Sequence, residues 1–183
     1  MGIGPLMPSN RAVFLDRDGV LNMAIVRNGK PFPPAGLAEM TINPDAVTAL
    51  PLLKAAGFLL IVVTNQPDVG RGTQSRAAVD EIHDALRLEL PLDDFFVCFH
   101  DDLDRCECRK PAPGLLVRAA ERHSIDLAKS FLIGDRWRDI DAGYQAGVKT
   151  VLIDYGYSER GPDNEPDIRV KSLLEAVKWI AGK

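Results

Sequence analysis

The chain of 183 residues lacks any long apolar run. Its longest, Phe58 to Val63 (FLLIVV), is far too short to cross a bilayer. Blocks of Lys or Arg are also missing, and acidic residues outnumber basic ones by 26 to 22, for a net charge of −4. That excludes the basic face a nucleic-acid-binding surface needs. The opening MGIGPLMPSNR has no apolar segment of a signal peptide, and Leu6 breaks the myristoylation pattern. Repeats and low-complexity stretches are absent. A cytoplasmic monomer without membrane or nucleic-acid partners is expected. Cysteine is scarce too: Cys98, Cys106 and Cys108 all fall in CFHDDLDRCECRKP, residues 98–111. Thiols gathered in one loop of a cytoplasmic chain suit a metal better than a disulfide framework.

What is there is ordinary in bulk. Hydrophobic residues make up 46% and charged residues 26%, and the length fits one domain over residues 1–183. Short apolar runs alternate with helical patterns. Strands are expected at Ala12–Leu15, Phe58–Val63, Phe95–Phe99, Phe131–Ile133 and Thr150–Ile153. Helices are expected at Pro44–Ala56, with Val47, Leu50, Leu52 and Leu53 on one side and Gly57 as its stop, and at Thr73–Leu90. Further helices are expected from Pro113 to His123, from Asp139 to Ala146 and over 171–181. Asn28 to Gly36 reads as a Pro/Gly-containing loop. Trp137 and Trp179 read as packing residues. Repeated β-α units with continuously apolar strands imply an α/β fold: a Rossmann-like three-layer sandwich around a central parallel sheet.

In such sheets ligands bind beyond the carboxyl ends of the strands. Strand one ends in FLDRDGVLN, placing Asp16 and Asp18 two residues apart. Two neighbouring anions need a cation or a shared proton, and Mg2+ is the natural hard partner; Asp-Gly is also common turn chemistry. Strand two ends in VVTNQ, where Thr64 offers a hydroxyl to an anion or to a helix end. Lys110 follows the cysteine loop and is a point charge able to hold a phosphate oxygen. Strand four ends in IGDRWRDIDAG. Asp139 and Asp141 suit a helix N-terminus; Asp135, directly after the strand, is explained less well that way.

Cys98, His100, Cys106 and Cys108 make a Cys3His set that fits tetrahedral zinc. Four protein ligands leave no open position, so this metal is expected to be structural. Asp101, Asp102, Asp104 and Arg105 form no core, and the metal is what would order the loop.

Asp-x-Asp, Thr, Lys and Asp, in that order and each at a strand end, resemble the haloacid dehalogenase (HAD) superfamily of aspartate-nucleophile phosphatases, subfamily IIIA, over about Ala12 to Asp154. The resemblance implies an HAD-like fold without a large cap, a phosphoric monoester hydrolase, and roles for these positions. Asp16 attacks phosphorus and becomes an aspartyl phosphate. Asp18 protonates the leaving alcohol and then activates water. Asp16, the Asp18 carbonyl and Asp135 hold Mg2+; Thr64 and Lys110 hold phosphoryl oxygens. Arg17, Asn22, Asn65, Gln66, Arg109 and Arg136 are the candidate substrate contacts, Arg109 and Arg136 suiting a second anionic group. The zinc-stapled loop, 98–108, would deliver Arg109 and Lys110 to the site.

Within the superfamily, FLDRDGVLN, VTNQ, VGRG and CECRKPAPG resemble the family of heptose bisphosphate phosphatases on the route to lipopolysaccharide heptose. The short His100–Cys106 gap is more like the histidinol-phosphatases. A small phosphorylated sugar is the expected substrate. A phospho-acceptor receiver domain would carry its Asp on a middle strand of the sequence, and a zinc-dependent binding module would leave the strand-end acids unused.

Overall fold

Arg11–Leu15 (RAVFL) forms β1, apolar on both faces and buried from Ala12 onward, as a central parallel strand must be. Residues 9–183 are described in this computed structural model; the leader-free start expected from residues 1–8 lies outside them. In chain order follow β2 (Ile25–Arg27), β3 (Lys30–Phe32), α1 (Pro44–Ala55), β4 (Phe58–Asn65), α2 (Pro67–Gly70), α3 (Arg76–Glu89) and β5 (Asp94–Cys98). Then come α4 (Gly114–His123), β6 (Phe131–Gly134), α5 (Trp137–Ala146), β7 (Lys149–Ile153), β8 (Ile168–Val170) and α6 (Leu173–Ala181).

Six strands form one parallel sheet in the order β5-β4-β1-β6-β7-β8. The chain walks from β1 to one edge, returns to the other side of β1, and walks to the opposite edge. That reversal opens a crevice at the carboxyl ends of β1 and β6. Alternate side chains feed two cores. Val13, Leu15, Leu60 and Val62 pack with Leu50 and Leu53 of α1, Ile82 and Leu86 of α3, and Val177 and Ile180 of α6. Ala12, Phe14, Ile61 and Val63 pack on the other face with Leu115, Leu116 and Ala119 of α4 and Ala142 of α5. The result is a three-layer α/β/α sandwich.

Several expectations shift. In α1 the buried side is Ala46, Ala49, Leu50 and Leu53; Val47 and Leu52 are exposed. β4 runs two residues further, carrying Thr64 and Asn65 as strand residues. α3 begins at Arg76 rather than Thr73, because Ser75 accepts a hydrogen bond from the Ala78 amide and caps it there. α5 begins at Trp137, two residues before Asp139, which closes a capping box onto the Arg136 amide. α6 begins at Leu173, not 171, because Ser172 is its cap and Ile168–Val170 is an edge strand.

Asn28–Gly36 is not simply a loop. Asn28 (φ 51) and Gly29 (φ 74) turn β2 into antiparallel β3, the Asn-Gly geometry of a tight hairpin. Trp179 does pack, edge-on to Phe131. Trp137 instead lies between guanidinium groups, with Arg138 at 4.5 Å and Arg160 at 3.6 Å from its ring centre.

Candidate active site

The strand ends converge as the topology requires. Asp16 follows β1 directly, and its amide donates to Ile133 of β6 (3.0 Å). Its Oδ1 accepts from the Arg17 amide (2.8 Å) and lies 3.0 Å from Lys110 Nζ. Lys110 is buried. Its ammonium also donates to the Val63 carbonyl of β4 (2.8 Å) and to Asp139 Oδ1 (2.5 Å). The second oxygen of Asp139 accepts from the Arg136 amide, so both its oxygens are committed and it supports Lys110. Asp135, on leaving β6, is different: both its carboxylate oxygens are buried and have no hydrogen-bond partner among the described residues.

Asp16, Asp135 and Asp139 each bring an oxygen within 4.8 Å of the others. Three buried carboxylates face one ammonium, so the cluster carries uncompensated negative charge, which burial makes costly. The titration of these groups reflects that strain. Burial first, then the Asp139 charge, push Asp16 up to about 6 although Lys110 pulls the other way. Asp135 is driven well above the carboxylate range by burial and by Asp16 and Asp139. Burial works against the Lys110 charge, but Asp139 and Asp16 outweigh it and raise its pKa. An oxygen-loving dication beside Asp135 and Asp16 fits this donor set.

Asp18 is treated oppositely. Burial would raise it, yet the Arg17 guanidinium and hydrogen bonds from Arg17, Asn22 and Gln66 hold it below the ordinary range. Arg17 grips it through Nε (3.1 Å) and Nη2 (2.9 Å to each oxygen); Asn22 Nδ2 (3.0 Å) and Gln66 Nε2 (2.9 Å) complete the clamp. Its carboxylate is therefore not part of the metal cluster. Arg17, Asn22 and Gln66 were expected to touch substrate. They are instead buried and turned onto Asp18. Asn65 also turns inward: its amide donates to the Lys110 carbonyl and accepts from the Lys110 amide, both at 3.0 Å. It fixes the lysine backbone while edging the cavity. Thr64 Oγ1 accepts from Gln66 (2.9 Å) and keeps its own proton for another acceptor.

Two glycines permit this closeness. A Cβ on Gly19, where φ is +82°, would sit 1.8 Å from Asp135 Oδ2; one on Gly134 would sit 2.2 Å from the Asp139 side chain.

At the end of β5 and in the loop after it, Cys98, His100, Cys106 and Cys108 meet. Their sulfurs lie 3.1–3.7 Å apart and His100 Nδ1 is 3.3–3.5 Å from Cys108 and Cys98. A zinc tetrahedron with bonds of about 2.3 Å has sulfur–sulfur edges of about 3.8 Å, so the four are spaced to close on one ion.

A cavity of about 330 Å3 lies over Asp16, Asp18, Lys110, Asp135 and Asp139. Arg109 and Arg136 line it. Lys30, Arg71 and Arg138 line it as well, and the sequence reading missed them. Lys30 was legible from the Asn-Gly hairpin; Arg138 and Arg71 carried no signal beyond their charge. The hairpin adds Pro31, Phe32 and Pro33 to the wall.

Residues 107–178 match the family described as HAD-hydrolase-like. The D-glycero-beta-D-manno-heptose-1,7-bisphosphate 7-phosphatase of Helicobacter pylori (strain J99) is 32% identical over 186 residues, covering 96% of this chain and 99% of that protein. The enzyme of the same name from Pasteurella multocida is 34% identical, covering 94% and 97%. Among solved structures, D,D-heptose 1,7-bisphosphate phosphatase from B. bronchiseptica, complexed with magnesium and phosphate, aligns with a TM-score of 0.75 at 27% identity, covering 94% of this chain and 98% of that one. With the carboxylate–lysine cluster at the carboxyl ends of its parallel strands, the chain belongs to the HAD-like hydrolase family and is a phosphoric monoester hydrolase.

Proposed function

We propose that this enzyme hydrolyses the 7-phosphate of D-glycero-D-manno-heptose 1,7-bisphosphate, on the route to lipopolysaccharide heptose. The observation that carries the reading is the pairing of one buried Asp16–Lys110 centre with a cavity wall of separate cations, Lys30, Arg71, Arg109, Arg136 and Arg138. A monoester needs the first; a second phosphate needs the others. The names of the relatives agree.

In this reading Asp16 attacks phosphorus. A new bond forms between an Asp16 oxygen and phosphorus and the ester P–O bond breaks; Asp18, which its clamp keeps ionised in the free enzyme, takes up a proton from solvent as the anionic substrate enters and passes it to the leaving oxygen. Asp18 then takes a proton from the water that cleaves the aspartyl phosphate. The grip of Arg17, Asn22 and Gln66 holds Asp18 beside the nucleophile and fixes its direction. Lys110 and the Thr64 hydroxyl face the phosphoryl oxygens, where charge accumulates. Asp16, Asp135 and the Asp18 carbonyl would hold Mg2+, which neutralises the cluster and the transferring group. The Cys98, His100, Cys106 and Cys108 set would hold zinc in a structural role and set the direction of Arg109 and Lys110.

The test is Mg2+-dependent phosphate release from the heptose bisphosphate against histidinol phosphate, the ester favoured by the short His100–Cys106 gap. A kcat/KM preference of at least about a hundredfold for the bisphosphate is expected, a difference of at least about 2.7 kcal/mol in transition-state binding. Preference for histidinol phosphate overturns the reading.

A further inference from the structure

We propose that Asp102 is a built-in counter-anion: it occupies a subsite made by Arg71, Arg109 and Arg138, and the substrate phosphate that is not transferred displaces it. The inference rests on the bisphosphate reading above and adds to it the residue that sets discrimination between bisphosphate and monophosphate.

Three elements converge on one carboxylate at the cavity wall. Arg109, next to the zinc ligand Cys108, reaches Asp102 through Nε at 2.9 Å and Nη2 at 3.3 Å. Arg138 of α5 comes within 3.1 Å, and Arg71, just after α2, within 3.9 Å. All four side chains line the same cavity as Asp16. Planar guanidinium groups around one small anion are the arrangement a phosphate takes.

The arginines do not depend on Asp102 for their places. Arg109 Nη1 donates to the His100 carbonyl (3.3 Å), Arg138 Nη1 donates to the Lys110 carbonyl (3.3 Å) and lies on Trp137, and Arg71 pairs with Asp68 (3.3 Å) and Asp101 (3.7 Å). The subsite therefore stays formed when Asp102 swings away. Asp102 is also easy to move: its side chain is 53% exposed, and exposed pairs are weak. Glu159, which pairs with Arg136 through both oxygens, is only 16% exposed and does not share this mobility.

A dianionic phosphate outcompetes this carboxylate; a substrate end without phosphate does not. Asp102 therefore lowers affinity for bisphosphates modestly and for neutral sugar ends more.

The experiment compares heptose 1,7-bisphosphate with heptose 7-phosphate as substrates for the full-length enzyme, reading the ratio of their KM values. Asp102→Asn, of equal size, is expected to lower KM for the bisphosphate up to about fivefold and KM for the monophosphate by more, so that discrimination between the two falls. Arg138→Met is expected to raise it while the monophosphate KM moves less. A rise in bisphosphate KM with Asp102→Asn means that Asp102 only braces the arginines and overturns the proposal. No change of the ratio with either variant also overturns it. If p-nitrophenyl phosphate is hydrolysed but neither heptose ester is, the proposed function fails separately. The same ratio is then read from glucose 1,6-bisphosphate against glucose 6-phosphate, with the same outcomes deciding.

Discussion

Asp16 and Asp18 are two residues apart, the first buried and the second part-buried, yet their surroundings drive them in opposite directions. Asp18 accepts from a guanidinium and two amides with no competing carboxylate on them; Asp16 shares one lysine with Asp139 and faces Asp135. Spacing alone showed the pair; only the fold shows which is compensated. The same holds for Arg17, Asn22 and Gln66. Their closeness to the motif was legible, but their direction depends on strand pairing and on the turn at Gly19. Asp16→Asn is expected to lower kcat at least about 10⁴-fold, since in the proposed mechanism the covalent intermediate forms on Asp16. The variant's circular dichroism should match the parent's, and its melting temperature in metal-free buffer at neutral pH should be no lower, because it removes one of three crowded charges. Gly19→Ala places a Cβ inside the Asp135 carboxylate at a positive φ. It is expected to cost more than about 1 kcal/mol and to abolish stabilisation by added Mg2+, read as the loss of a Mg2+-dependent rise in Tm.

Elements that bury continuous apolar side chains were legible, and those at the edge were not. β1, β4, β6 and β7 announce themselves as unbroken hydrophobic runs. β8 has three residues, one of them buried, and pairs only with β7. The β2–β3 hairpin buries almost nothing and contains Pro31, so its only signal was the Asn-Gly turn. The Cys98–Cys108 loop was legible for a different reason: its chemistry is carried by residue type, not by hydrophobic period. It also joins β5 to the lysine, and with a metal bound its backbone is tied at four points. Stripping zinc with a strong chelator is expected to lower Tm and to abolish turnover even with Mg2+ restored; elemental analysis of purified protein should give one zinc per chain. Retention of full activity at zero zinc would contradict the structural role.

For the molecule as a whole, two buried groups tilt stability against pH in opposite directions. His83 lies beside Arg17 (3.4 Å) and is held down to about 4 by burial and by the Arg17 and Arg87 charges, against an ordinary 6.5. Between those values the unfolded chain binds a proton that the folded chain refuses, so stability falls as pH falls through the window. Asp16 is raised from 3.8 to about 6, so in metal-free protein the folded chain holds the proton longer and stability falls as pH rises from 3.8 through 6. His83→Gln is expected to flatten the acid-side loss, and Asp16→Asn to flatten the loss on the alkaline side. Urea midpoints from pH 4 to pH 7, with and without Mg2+, separate the two. Mg2+ should raise the midpoint most at the upper end.

The position of β1 has a further consequence. It is paired along both edges, to β4 and β6, and its residues from Ala12 to Leu15 have no exposed surface. Its amides should exchange with deuterium only when the whole molecule opens, while those of the β2–β3 ribbon, paired to each other alone, should exchange within fluctuations of the ribbon itself. Asp16 is thus carried by the strand expected to open slowest, while the cavity wall includes a ribbon expected to open among the fastest.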